Sequence, residues 1–270
     1  MFVMQKIYEA YAWLFGRPVF SRFNNLVYGL AIRGLGVYNY SNSKISGEQW
    51  LLDNVVKSLG RELVVFDVGA NVGNYTKILI DAGVDAKSIY AFEPNPVTFD
   101  ILSKNLSTIK HVFPIKVALS DQAGKMLLFD RDDEKSSSHA SLSQKIFAEI
   151  YMVDNNEKLV QVDTIDSFSK YKNIDFIDFL KIDVEGYEIN VLKGANNLLG
   201  SRKIRCIQFE FTQLNSTIGV FFKEFYDILS SNYDIFRLLP HGLRRIEKYN
   251  PTTCEIFGYQ NYAAILKNQK

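Results

Sequence analysis

From residue 62 onward the chain alternates between two hydrophobic rhythms. Short, densely apolar runs near 62–67, 88–92, 112–118, 175–182, 204–211, 233–238 and 255–266 read as strands. Stretches near 73–82, 96–105, 187–199 and 218–231 carry apolar positions three and four apart and read as helices. Strand and helix in alternation predict parallel strands joined by crossover helices, and near-continuous apolar strands predict a sheet covered on both faces. The expectation is an α/β, doubly wound, mostly parallel sheet of seven strands, with two late elements adding an antiparallel pair at its edge.

Residues 1–60 have a different pattern and are read as a helical extension. Two amphipathic helices are predicted at about 2–15 and 20–35, followed by a polar connector from Tyr38 to Gly47. A helix over 47–59 follows, capped by Ser46 and ended by Gly60. Phe2, Ile7, Tyr8, Tyr11, Trp13, Leu14 and Phe15 are interrupted by Lys6, Glu9 and Arg17, too short and too broken a run to span a bilayer. The stretch also lacks the pattern of a secretory signal. Packing on the main domain or in a homodimer is the first expectation for these helices. A lid, or contact with a membrane surface through 1–35, ranks behind it. Residues 61–270 form the main domain, with an insertion at about 122–162. There a short apolar run (Lys125–Phe129), a polar patch (Asp130–His139) and an amphipathic piece at 142–152 precede the return at Lys158–Asp163. Insertions of this length between core strands are functional or disordered.

Composition narrows the classes. The 270 residues are 47% hydrophobic and 23% charged with a net charge of +1, which suits a soluble globular protein and gives no footprint for nucleic acid. Two cysteines, Cys206 and Cys254, form no Cys-x-x-Cys pair. A disulfide framework or cysteine zinc site is therefore not expected, and a reducing, cytoplasmic location is.

The chemistry sits at strand ends. The first strand runs into Asp67-Val68-Gly69-Ala70-Asn71-Val72-Gly73, and the second ends in Glu93-Pro94-Asn95-Pro96. No Gly-Lys-Ser/Thr follows the loop, so a P-loop is excluded. Ala70 and Asn71 also stand where a dinucleotide fingerprint would have its second glycine. A glycine turn that approaches ribose and amino-acid groups without a pyrophosphate, joined to an acid that accepts from a ribose diol, suits S-adenosylmethionine. Ala118, Leu119 and Asp121, after the third strand, lie where adenine would sit. Asp121 either accepts from the adenine amino group or begins a turn with Gly124.

Further on, Phe179-Leu180-Lys181-Ile182-Asp183-Val184-Glu185-Gly186 delivers Asp183 and Glu185 to the carboxyl edge of the sheet, and Ile204–Phe211 delivers Glu210. The general-base candidates are Asp183, Glu210 and His139, the last either a base or a solvated loop histidine. Asp183 and Glu210 are also candidates to hold a divalent cation such as magnesium.

These blocks, together with Val162-Asp163-Thr164-Ile165-Asp166 and Leu192-Lys193-Gly194-Ala195, occur in one order over roughly residues 62–211. In that order they resemble the FkbM-type methyltransferases, a branch of the class I S-adenosylmethionine-dependent enzymes. The resemblance implies a Rossmann-like class I fold and methyl transfer, commonly to a hydroxyl on a sugar, glycan or natural product. Carried over position by position, Asp67, Gly69, Asn71 and Glu93 become cofactor contacts, and Asp183 becomes a neighbour of the transferred methyl. Ala70, Gly73, Pro94 and Asn95 complete the expected cofactor lining. An amine or nucleobase acceptor, or a non-catalytic cofactor-binding protein, are the competing readings. The chain lacks the Asn/Asp-Pro-Pro-Tyr/Phe signature of base amino-group methylation, which disfavours the nucleobase.

Overall fold

A computed structural model describes residues 2–131, 140–146, 148–149 and 155–268. The strands are β1 (Leu63–Val68), β2 (Ala86–Phe92), β3 (Val112–Ile115), β4 (Ala118–Leu119), β5 (Gly124–Arg131), β6 (Asn155–Asp163), β7 (Ile177–Ile182), β8 (Ile204–Phe211), β9 (Tyr233–Leu239), β10 (Gly242–Arg245) and β11 (Gln260–Leu266). The central sheet runs β10-β9-β11-β8-β7-β1-β2-β3. Five strands, β3, β2, β1, β7 and β8, are mutually parallel, and β11 enters antiparallel between β8 and β9.

The sheet thus has eight strands rather than the expected seven. The extra one, β10, folds back on β9 across Pro240-His241 as a hairpin. Its Gly-Leu-Arg-Arg sequence holds one apolar position in four, so it carries no strand rhythm. Several boundaries also move, two of them by splitting an expected element. The run read as 112–118 splits between the central sheet and a second, three-stranded sheet, β4-β6-β5, built from the insertion. The helix read as 187–199 is two, Glu188–Lys193 and Asn196–Gly200, parted at Gly194-Ala195.

The β1 side chains show why both faces are apolar. Phe66 and Val68 join the core of one face with Phe92, Phe168 and Ile182, and Leu63 and Val65 join that of the other with Leu79, Leu102 and Phe179. Successive strand residues point to opposite faces, and here both faces are packed. Sequence order runs outward from β1 through β2 to β3 on one side and from β7 to β8 on the other. The change of direction lies between β1 and β7, where open α/β sheets form a crevice beyond their carboxyl ends.

The extension begins with helices Phe2–Phe15 and Ser21–Gly34. A short turn, Ser43–Ser46, is capped by the Asn42 side chain, and the helical run Glu48–Leu59 ends at Gly60. Leu51, Leu52 and Val56 of that run are fully buried against the second face of the sheet. This packing carries Glu48 to the crevice.

Candidate active site

The glycine turn after β1 is shaped by close packing. Gly69 has φ +78°, and a Cβ there would stand 1.8 Å from the Asp183 carbonyl oxygen. Only glycine accepts both conditions. Gly69 and Ala70 donate their amides to the Phe92 carbonyl at 3.1 and 2.9 Å, and Asn71 takes a left-handed φ of 49°. The loop is thereby stitched to the end of β2. Behind it, Asn105 on helix Pro96–Leu106 donates to the Val72 carbonyl at 2.8 Å.

Glu93 is buried, and its two carboxyl oxygens accept from the Asn71 amide at 3.0 Å and the Asn95 amide at 2.8 Å. Burial raises its pKa to about 7, against the opposing pull of those two amides. Each oxygen keeps a further lone pair, so the carboxylate can take a vicinal diol through both.

A cavity of about 580 Å³ opens at the crevice between β1 and β7, a size ordinary for small-molecule sites. Asn71, Glu93, Pro94, Ala118 and Leu119 line the β2 end, Asp183, Glu185 and Glu210 line the other, and Gly69 and Ala70 lie between them, Gly69 against the Asp183 carbonyl. Asp67, Gly73 and Asn95 stand behind this lining as supports. Asp67 is fully buried and accepts from the Thr76 hydroxyl at 2.7 Å, and Asn95 caps helix Pro96–Leu106 through the Val97 amide. Asp121 is exposed outside the lining and accepts from the Ser120 hydroxyl at 2.9 Å. His139 lies outside the described residues.

The far end holds residues the sequence patterns did not single out. Lys181 Nζ lies 3.1 Å from Asp183 and 3.5 Å from Asp67, above the Tyr75 ring. Burial alone would lower its pKa, but Asp183 and Asp67 outweigh it and hold the ammonium charged. The Tyr75 hydroxyl donates to Gln208 Oε1 at 2.5 Å, and Gln208 Nε2 donates to Glu48 at 2.9 Å. Glu48 also accepts from the Ser46 hydroxyl at 2.7 Å, and burial raises its pKa.

Glu210 is deep in the molecule yet opens on the cavity. Burial raises its pKa well above the carboxylate range, and Asp183, Glu185, Glu188 and Glu48 raise it further. Tyr259 lines the cavity beside it, its phenol raised first by burial and then by the charge of Glu210. A lysine inside the apolar run Phe179-Leu180-Lys181-Ile182 was a readable signal. Glu48 and Tyr259 gave none, because only the fold brings positions so distant in sequence together.

The insertion reaches both ends of the cavity. Asp130 on β5 accepts from the Asn95 side-chain amide and from Lys158 at 3.0 Å, and Ser141 donates to the Glu185 carbonyl at 2.9 Å. Among the described residues no three His, Cys, Asp or Glu side chains converge as a metal-ligand set. The magnesium expectation is therefore left with no support beyond Asp183 and Glu210 lining the same cavity.

Comparison with known proteins agrees with this architecture. Residues 67–236 match the family described as the methyltransferase FkbM domain. The chain is 30% identical over 158 residues to the hexuronic acid methyltransferase AglP of Haloferax volcanii, covering 58% of this chain and 60% of that protein. It is 31% identical over 156 residues to the methyltransferase sdnD of Sordaria araneosa, covering 49% of this chain and 60% of that one. The chain thus spans about 60% of the length of these curated relatives. Among solved structures, the methyltransferase FkbM from Methylobacillus flagellatus superposes with a TM-score of 0.46 at 15% identity, covering 75% of this chain and 43% of that one. With its matched segment running from the end of β1 into β9, the chain belongs to the FkbM methyltransferase domain family.

Proposed function

We propose that the protein is an S-adenosylmethionine-dependent methyltransferase that acts on a hydroxyl of a sugar, glycan or natural product. The observation that carries this reading is a single cavity with Glu93 at one end and Asp183 and Glu210 at the other. The residues present fit the cofactor. Glu93 offers a buried bidentate acceptor for a ribose diol, and Ala118 and Leu119 offer an apolar wall for a flat base. The carboxylates beyond them favour a cationic centre. When bound, S-adenosylmethionine supplies an electrophilic methyl group on its sulfonium sulfur.

The chain's own part is to align and to move a proton. Asp183, held by Lys181, fixes the rim of the cavity nearest the glycine turn. Glu210 lines the cavity where an acceptor hydroxyl can enter, and its ionised carboxylate is the group to take the hydroxyl proton, with burial raising its basicity. Tyr259 and Glu48 supply polar groups for the remaining hydroxyls of an acceptor. The name of the AglP relative supports a sugar acceptor.

Calorimetry with S-adenosylhomocysteine, joined to a turnover assay over pooled hydroxyl and amine acceptors, tests the reading. Uptake of the nucleoside with release of S-adenosylhomocysteine only when hydroxyl acceptors are present is expected. Absence of uptake overturns the cofactor assignment, and turnover with amines alone overturns the acceptor assignment.

A further inference from the structure

Fourteen of the twenty-four exposed large hydrophobic side chains of the described residues fall within the first 35 residues. They belong to a helical hairpin. Phe15 packs against Phe20 and Phe23 with ring centroids at 5.2 and 5.5 Å, while the Tyr11 hydroxyl donates to Asn24 at 2.7 Å and Asn24 donates to the Phe15 carbonyl at 2.9 Å. These contacts hold the two helices together without covering their outer faces. On the first helix Val3, Ile7, Tyr11 and Leu14 recur at helical spacing and are all exposed. On the second, Phe23, Leu26, Val27 and Leu30 do the same. Trp13, 72% exposed, and Val19, 79% exposed, mark the bend, where the Arg17 guanidinium lies 5.7 Å from the Trp13 ring centroid.

Charge separates the candidate occupants. Residues 1–35 carry Lys6, Arg17, Arg22 and Arg33 against Glu9 alone, whereas the rest of the chain has a slight acidic excess. A second copy of the hairpin would set like charge against like. Anionic headgroups complement it, and exposed tryptophan and tyrosine beside arginine suit the boundary between headgroup and acyl chain. We propose that this hairpin docks the protein on an anionic lipid surface, its apolar faces at the headgroup boundary and its arginines on lipid phosphates. Among the described residues no helix is long and apolar enough to cross a membrane, so the hairpin lies in the plane of the surface. It is joined firmly to the sheet: Ile32 is buried, Arg237 donates to the Leu35 carbonyl at 3.3 Å, and Gly36 passes so close to Leu238 that a Cβ would stand 2.6 Å from its carbonyl oxygen. The domain would therefore be carried to the surface as a body.

Co-sedimentation of the full chain with phosphatidylcholine vesicles, with and without phosphatidylglycerol, tests the proposal. Binding to the mixed vesicles is expected, weaker by about tenfold on pure phosphatidylcholine and falling with added salt. The double variant Arg17→Glu/Arg22→Glu should lose at least about tenfold in partition with an unchanged melting temperature. In a Trp50→Phe background, Trp13 emission should shift to the blue on binding. Protein that stays in solution with the mixed vesicles overturns the proposal. So does a dimer that Leu26→Glu dissociates and that takes up no vesicles, since it would assign the face to a second copy.

Discussion

The two ends of the cavity are built by opposite strategies. The β2 end is local: Gly69, Asn71 and Glu93 lie within 25 consecutive residues, and the backbone amides of Asn71 and Asn95 hold the Glu93 carboxylate. The far end is assembled from a distance, since Glu48, Tyr75, Gln208, Glu210 and Tyr259 come from the extension, a helix, β8 and the segment entering β11. A binding end made mostly of backbone constrains sequence tightly and repeats as a motif. An end made of side chains on separate elements can vary residue by residue. The family match, which covers residues 67–236, contains the first end whole and leaves Glu48 and Tyr259 of the second outside it.

The largest expected effect breaks the local end. Gly69→Ala would place a methyl 1.8 Å from the Asp183 carbonyl at a left-handed φ, so β1 and β7 would have to part. A loss of at least about 3 kcal/mol in unfolding free energy is expected, with loss of nucleoside binding. Chemical denaturation and calorimetry would check both, and an unchanged midpoint would mean the loop relaxes freely. At the far end, Glu210→Gln keeps shape while removing the proposed base. Turnover should fall by about 100-fold or more with nucleoside affinity nearly unchanged. The wild-type rate should climb with pH through a transition above the ordinary carboxylate range, and the variant should lose that transition. Equal losses in binding and turnover would merge the two ends into one.

How much of this was legible follows the same division. The apolar runs gave β1, β2, β7 and β8 to within about two residues, because strands packed on both faces read as dense apolar runs despite a few polar positions. Glu93 could be found because an acid just beyond such a strand has no packing reason to be there. The purpose of Gly69 was only half legible. The turn was visible, but its contact with Asp183, more than a hundred residues away, was not. β10 was missed because an edge strand of four residues needs only backbone pairing. Glu48 falls at the start of the expected 47–59 helix, and only the packing of Leu51, Leu52 and Val56 turns it into the cavity.

A smaller effect sharpens the account of Glu93. With its pKa raised to about 7 by burial, it is partly protonated in the free protein at neutral pH. A ribose diol donates to the ionised form, so nucleoside affinity should weaken as pH drops below about 7. Glu93→Gln should cost about tenfold to 100-fold in affinity and remove that pH dependence. Stability moves the other way. Glu93 and Glu188, both raised to about 7 chiefly by burial, bind more protons folded than unfolded between the ordinary carboxylate value of about 4.5 and about 7. The unfolding free energy should therefore fall as pH rises through that window, by on the order of 3 kcal/mol per group at most. Urea titrations at a series of pH values would show it, and a flat profile would mean these carboxyls are better solvated than their burial implies.

The smallest effect asks whether the insertion belongs to the local end. Asp130 is buried and tied both to Asn95, which caps the helix after Glu93, and to Lys158, which is 27% exposed. Because Lys158 is partly solvated, Lys158→Met should cost only about 1 kcal/mol of stability. If the β5–β6 sheet merely covers that end, nucleoside affinity should follow the same small loss. If the sheet holds Asn95 in place to orient the amide that Glu93 accepts, affinity should fall more than stability, and Asp130→Asn in the same chain should add little further. A double-mutant cycle on Lys158 and Asp130, read by calorimetry and by denaturation, separates these outcomes. Coupling in binding but not in folding would make the insertion part of the nucleoside site rather than a cover laid over it.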